Sequence, residues 1–464
     1  MKFRQRLRNS FGLLLPWVLP LAAQAQAPSG YATLNGGTTG VAGGSTVTAY
    51  TGTDIHNALC TRSSSDAPIT IYVQGTVNHS NTSGVSGDSC NAGSADDVIE
   101  LKDVSNVSII GVGNSALFDE LGIHIRNSSN IILQNLHIRN VKKSGSPTSN
   151  GGDAIGMEAN VSNVWVDHCT LEASGGESAG YDALFDLKNN TRYVTLSYSH
   201  LLNSGRGGLV GSSDSDDQNN YITYHHNYYE NIDSRTPLLR YATAHAYNNY
   251  FNGIHSSGMN PRAGGRIKAE NNHFLNAQNP IGTFYTDLLG YWDISGNIFE
   301  NVTWNSDDYP AGPNPTSTTS ISIPYAYSLD DAACVQDIVL STAGAATDLA
   351  VSDGSCDVLA GSGSDSGSGG DAGSGGDAGT DAVAASLTIA NDWGGGYCAT
   401  VTVVNNGSAA VNWHVTLTVE GTVDGLWNGL WSQSGSILEV EGVAWNATLD
   451  PGEVDSSVGF CASR

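Results

Sequence analysis

The chain has 464 residues, of which 56 are glycine and seven are cysteine, and it carries a formal net charge of −26 although only 14% of its residues are charged. An acidic surface of this kind repels nucleic acid and anionic lipid, so neither is expected as a partner. It would also repel an acidic polysaccharide, unless local cations reverse the sign at a site.

The N-terminus reads as a targeting segment. Lys2, Arg4, Arg6 and Arg8 precede an apolar run from Phe11 to Ala23, followed by small residues at Ala23, Ala25 and Ala27. This is the pattern of a secretory signal peptide, taken as residues 1–25 and set aside from the fold. No later segment has the 18 or so uninterrupted apolar residues that a membrane span needs. The mature chain is therefore expected to be exported, soluble and monomeric, with length for two or three domains. In an oxidising compartment the seven cysteines imply disulfides with one left over. The local pairs are Cys60–Cys90, Cys334–Cys356 and Cys398–Cys461, which leaves Cys169 in a strand-like run as a buried, inert thiol.

From Asn106 onward short β-rich runs recur: NVSIIGVG, NIILQNLHI, NVWVDHCTL, RYVTLSYSHL, YITYHHNYY, TAHAYNNYF, RIKAENNHF and WDISGNIF. Aligned, they share one column of Leu136, Cys169, Ser199, Asn227, Asn249, Asn272 and Asn297. Two positions on lies an apolar column of Ile138, Leu171, Leu201, Tyr229, Phe251, Phe274 and Phe299. The successive spacings are 33, 30, 28, 22, 23 and 25 residues. Such a period predicts a solenoid whose coils stack on one another, a right-handed parallel β-helix over residues 28–358. A sandwich or propeller would explain the alternation but not the single column. The recurrent asparagine fits a bend residue that tolerates the left-handed conformation and bonds between coils.

The longer early coils must bulge out as loops, and those loops carry the charge. Asp153 stands in GGDAIGME, Asp182 and Asp186 in YDALFD, and Arg206, Arg235 and Arg240 follow. Three hard oxygen ligands suit a divalent cation, and fixed positive charge beside them suits an anionic substrate. Each residue also has an ordinary reading, as a solvated turn aspartate or an ion-pair partner. His168, next to Asp167, reads as a hydrogen-bonded structural histidine. His225 and His226, on opposite faces of one strand, should not share a metal.

Residues 360–385 are almost wholly Gly, Ser, Ala and Asp and predict a flexible linker. The module after it, 386–464, predicts a small β-sandwich with five tryptophans. Trp413 alternates with Val411 and Val415 as core would, whereas Trp393, Trp427 and Trp445 fall in Gly/Asn-rich turns. Exposed rings suit stacking on sugar faces, although filling a small core is the competing reading.

The motifs GYATLNGGTTGVAGG, NVWVDHCTL, YVTLSYSHL, GLVGSSDS, YHHNYYENIDSRTPLLR and HAYNNYF resemble the pectate lyases of polysaccharide lyase family 1 over about residues 30–358. The resemblance implies a right-handed parallel β-helix and β-elimination on polygalacturonate. It implies that Asp153, Asp182 and Asp186 ligate calcium, that Arg235 is the catalytic base, and that Arg240 binds a substrate carboxylate. Arg206 falls where the family commonly has lysine, which keeps the charge but exchanges a point ammonium for a planar fork. The tail resembles family 2 carbohydrate-binding modules through NDWGGGYC, GLWNGLW and WNATLDPG, which implies a strip of Trp393, Trp427 and Trp445 facing cellulose or xylan. Rival functions are a pectin lyase, which would not need the aspartates, and a polygalacturonase. Arg266-Ile267-Lys268 mimics one polygalacturonase motif, but the companion NTD, GDD and GHG signatures are missing. A non-catalytic sugar-binding β-helix would not need the three arginines beside a carboxylate cluster.

Overall fold

The structure is a computed structural model that describes residues 27–464 except 41–43, 88, 91–96, 146–147, 306–308, 360–382, 393–394, 406–408, 435–436, 444–445 and 450–452. The expected signal peptide, and the expected linker up to residue 382, lie outside the described residues. The chain divides into two compact units, Met1–Ser364 and Asp365–Arg464. No described helix is long and apolar enough to cross a membrane.

The first unit is the expected parallel β-helix. Its described strands build three sheets of ten, seven and nine strands. The coil with the best-formed repeat shows the pattern. Arg192–Ser197 lies in the ten-stranded sheet, His200–Arg206 in the nine-stranded sheet and Leu209–Val210 in the seven-stranded sheet. The next coil repeats this with Asn220–His225, Tyr228–Ser234 and Leu238–Arg240, and every such neighbour pair is parallel and in register. Inward positions of all three sheets pool into one apolar core. At its N-terminal end the helix Gly52–Cys60, capped by a reciprocal Thr51–Asp54 box, adds Ile55 and Leu59 to that core.

The two columns seen in the sequence become two ladders. Tyr229, Phe251, Phe274 and Phe299 stack ring on ring, with centroids 4.6, 4.4 and 5.3 Å apart. Each such contact adds about 0.5–1.5 kcal/mol beyond simple burial. The amide groups of Asn227, Asn249, Asn272 and Asn297 bond in sequence at 3.0, 2.9 and 2.9 Å. Each Oδ1 also accepts the backbone N–H of the preceding member. The left-handed residue, however, is not the ladder asparagine but its predecessor: Tyr198, His226, Asn248 and Asn271 have φ of 44, 53, 50 and 47°. The bend thus takes its backbone strain one position earlier and leaves the asparagine side chain free to point along the ladder.

Segments outside the coils cover what the sheets expose. Residues 317–318 bond to Trp292 and Ile294 on the last strand of the ten-stranded sheet and close its edge. The N-terminal segment bonds to that sheet through Tyr31 and Ala32, and the segment after the last coil bonds to it through Tyr325 and to the adjoining bend at His226 through Asp330. The three cysteine pairs are bonded, and Cys169 is free and buried.

The second unit is a β-sandwich. Its four-stranded sheet consists of Val383–Asp392, Gly396–Asn405, Val454–Ser463 and Thr422–Trp427, and its three-stranded sheet of His414–Thr418, Ile437–Gly442 and Gly429–Ser434. The first strand begins at Val383, so sandwich structure starts before the expected Ser386. Trp413 is core, as its alternation implied, at 2% exposure among Val401, Leu438 and Phe460.

Candidate active site

The seven-stranded sheet and the bends leading into it carry the charged residues singled out in the sequence. Asp153 lies two residues before the strand Ile155–Glu158, and Asp186 sits in its neighbour Phe185–Leu187. Phe185 and Leu187 face the core, so Asp186 and Lys188, two residues apart, share the outer face. Gly156 pairs with Asp186, and a Cβ there would stand 3.2 Å from the Asp153 carboxylate, so glycine leaves that group its room. Leu209 N–H donates to Asp186 Oδ1 at 3.0 Å and fixes it.

The Lys188 ammonium joins the two carboxylates, 3.1 Å from Asp153 Oδ2 and 2.9 Å from Asp186 Oδ2. Burial alone would lower its pKa, but Asp186 and Asp153 outweigh burial and push it up. One lysine does not balance the cluster. Burial first, and then Asp186, push the Asp153 carboxyl up to about 8, and its Oδ1 is buried with no hydrogen-bond partner among the described residues. A buried, acidic, partnerless oxygen beside a second carboxylate fits a hard cation. Asp182 stands apart, bonded to Arg206 Nη1 at 2.8 Å and 3.4 Å from Lys143 Nζ. The three aspartates therefore do not offer one oxygen each within 4.8 Å of one another.

The three arginines differ in their company. Arg206, at the end of the strand His200–Arg206, divides its fork between Asp182 and Glu177. Arg240 donates from Nε to Asp214 Oδ1 and from Nη1 to Gly211 O, both at 2.8 Å. The Arg235 guanidinium makes no hydrogen bond or ion pair among the described residues. Burial first, then Arg206, draw its pKa below the usual value against the pull of Asp186 and Asp182, and Arg240 adds to the lowering. Its backbone is left-handed at φ 64°, an uncommon state for a non-glycine residue, and its carbonyl accepts from Gly208 N–H at 2.7 Å. Gly207 permits that approach, since a Cβ there would lie 2.7 Å from the same oxygen.

Other motifs fall away from this surface. Arg266–Lys268 lies in the ten-stranded sheet, where Lys268 is paired with Glu270 and Asp293. His168 is fully buried, bonded to Asp167 at 2.6 Å and to the Ala350 carbonyl at 2.8 Å. His225 and His226 do not sit on opposite faces. The bend at His226 turns the second ring onto the first, Nδ1 to Nδ1 at 2.9 Å, and His226 continues to Asp330.

In the sandwich, Trp427 ends the strand Thr422–Trp427, rather than lying in a turn, and is 46% exposed. Its ring lies over Gly459 on the adjacent strand, where a Cβ would meet it at 2.3 Å. Trp431 is also 40% exposed. Trp393 and Trp445 lie outside the described residues.

A pectate lyase family model matches residues 8–348 and a cellulose binding domain model matches residues 383–464. The chain belongs to the pectate lyase family. It is 44% identical over 317 residues to a pectate trisaccharide-lyase of Bacillus licheniformis, covering 68% of this chain and 85% of that one. Pectate lyase B of Dickeya chrysanthemi is 37% identical over 273 residues, 54% of this chain and 71% of its own. Among solved structures, a pectate lyase from Bacillus sp. N165 in complex with trigalacturonate matches with TM-score 0.60 at 35% identity, over 69% of this chain and 99% of that one. Pectate lyase C from Erwinia chrysanthemi at pH 9.5 with 30 mM Ca2+ matches with TM-score 0.60 at 30% identity, over 72% and 100%. The first unit is thus a pectate lyase, and the second is a cellulose binding domain.

Sequence reasoning missed Lys188, Lys143 and Glu177 at this surface. Lys188 was within reach, since it follows Asp186 by the two-residue period of one strand face. Lys143 and Glu177 lie in loops that have no period to read.

Proposed function

We propose that the protein is a secreted, calcium-dependent pectate lyase anchored to plant cell wall by its cellulose binding domain. The cation is assigned to Asp153, Asp182 and Asp186, of which Asp182 would have to turn from Arg206 and Lys143 to reach it, and the substrate carboxylate to Arg206 and Arg240. Calcium, when bound there, supplies a Lewis acid that steadies negative charge on that carboxylate. Arg206 and Arg240 hold the same group and share the charge that develops as the C5 proton leaves. Arg235 accepts that proton. The C5–H electron pair becomes the C4=C5 double bond, the C4–O bond breaks with its electrons on the glycosidic oxygen, that oxygen takes a proton from solvent as the new reducing end, and the new non-reducing end is a 4,5-unsaturated sugar.

The observation that carries the assignment of the base is the isolation of Arg235. An ordinary guanidinium does not give up its proton. Arg206 and Arg240 are paired with carboxylates, whereas Arg235 has no such partner among the described residues and is disfavoured as a cation by burial and by Arg206. Export rests on the N-terminal pattern of residues 1–25 and agrees with three disulfides. Wall anchoring rests on the cellulose binding domain and on exposed Trp427, with Trp393 and Trp445 assigned to the same sugar-facing strip.

The test is the release of unsaturated product from polygalacturonate. Chelation should abolish it, and calcium rather than magnesium should restore it, since flexible many-oxygen coordination favours the larger ion. Arg235→Lys should lose several orders of magnitude in kcat with its fold intact. Full activity in excess chelator would remove calcium from the scheme, and an active Arg235→Lys would remove the base.

A further inference from the structure

The Arg206 fork is already occupied. Nη1 is bound by Asp182, deeper in the site, while Nη2 is bound by Glu177. Glu177 opens a short 3-10 turn, Glu177–Ala179, and is 57% exposed, whereas Arg206 is 22% exposed. The contact is built by the backbone. A Cβ at Gly205 would lie 2.8 Å from Gly176 Cα, so paired glycines let the two coils touch and seat Glu177 over the arginine that follows Gly205. A second cation stands beside it, with Lys143 Nζ 4.0 Å from Glu177 Oε1 and 3.4 Å from Asp182 Oδ2.

We propose that Glu177 is an internal competitor for the substrate carboxylate. It covers the solvent-facing half of the Arg206 fork, so a galacturonate residue reaches Nη2 only by displacing it. The displaced carboxylate moves to Lys143, which keeps it within the site's charge balance. An incoming carboxylate replaces one ion pair with another, whereas an uncharged sugar breaks the pair and replaces nothing. Glu177 therefore makes this position selective for anionic sugars at the expense of affinity. The inference rests on the reading of Arg206 as a carboxylate-binding arginine.

The test is a double-mutant cycle on the full-length protein with polygalacturonate at saturating calcium. Glu177→Gln should lower KM about two- to fivefold, the range expected for losing an exposed ion pair, with kcat unchanged within about twofold. The affinity for trigalacturonate, read by calorimetry in an Arg235→Lys background, should rise by the same factor. In an Arg206→Ala background Glu177→Gln should change neither quantity. If Arg206→Ala raises KM but Glu177→Gln leaves it unchanged or raises it, Glu177 is a strut for Arg206 and the proposal falls alone. If Arg206→Ala itself leaves KM and trigalacturonate affinity unchanged, the carboxylate-binding role of Arg206 falls and the competitor falls with it.

Discussion

The asparagine ladder should be one of the largest single-residue contributions to the stability of the β-helix, and Asn249 is the member to remove. Its Nδ2 donates to Tyr224 O, Tyr247 O and Asn272 Oδ1 at 2.9, 3.1 and 2.9 Å, and its Oδ1 accepts from Asn227 N and Nδ2, both at 3.0 Å. The site is fully buried, so the groups deprived of it have no water to turn to. Asn249→Ala strands the Asn227 backbone N–H, at about 1–3 kcal/mol, and forfeits several further bonds at about 1 kcal/mol each. Strain relief and a trapped water offset part of that, which leaves a loss of about 3–5 kcal/mol. For a domain of this size that is roughly 4–7 °C in the midpoint of the lyase transition, followed by scanning calorimetry of the full chain. Asn249→Ser provides the control. Ser199 stands in the same column and its hydroxyl accepts the Cys169 N–H at 3.1 Å, so serine should restore the acceptor and about half of the loss. A midpoint for Asn249→Ala within about a degree of wild type would refute the reasoning, because the buried bonds would then be exchangeable at no cost.

The protonation of Asp153 gives a pH dependence with a definite sign. Without metal the folded state keeps the Asp153 proton up to about pH 8, whereas the unfolded chain loses it near the ordinary value of 3.8. Native protein therefore binds more protons in that window, and its stability should fall as pH rises through it. A calcium ion bound as proposed would displace that proton, so its affinity should strengthen up to tenfold per pH unit until about pH 8, with proton release visible by calorimetry in buffers of unlike ionisation heat. Calcium affinity independent of pH, with no proton released, would remove Asp153 from the ligand set. In the tail, deleting 383–464 should leave turnover on soluble polygalacturonate nearly unchanged while lowering activity on intact cell wall. Trp427→Ala should weaken retention on insoluble cellulose or xylan, and undiminished retention would show that this ring is not a contact.

The fold was legible because a solenoid writes its register into the sequence. Phe251 and Phe274 are 23 residues apart, yet they stack at 4.4 Å because each coil returns to the same place. The same rule made the ladder visible but misplaced its strained residue. The predecessors Tyr198, His226, Asn248 and Asn271 have no common chemistry, because a left-handed bend constrains backbone and not side chain. His225 and His226 misled for the same reason, since strand alternation stops at that bend. The site was legible in its acids and bases but not in their pairing. Asp182 turns to Arg206 and Lys143, so its partners depend on how two loops fold over the coils.

Glu177, Arg206 and Arg235 are each 29 residues apart, close to one turn of the early coils, and repeat arithmetic would set all three in one row. Glu177 does reach Arg206, but Arg206 does not pair with Arg235. Within the strands the register is fixed, with Arg206 opposite Ser234, and Arg235 then turns away into its own left-handed bend. A periodic backbone therefore brings like charges to neighbouring coils, and the departures from the period decide which of them finds a partner. Arg206 ends a strand and is met by a loop acid. Arg235 leaves the strand and is met by none among the described residues, which is the condition its proposed chemistry needs.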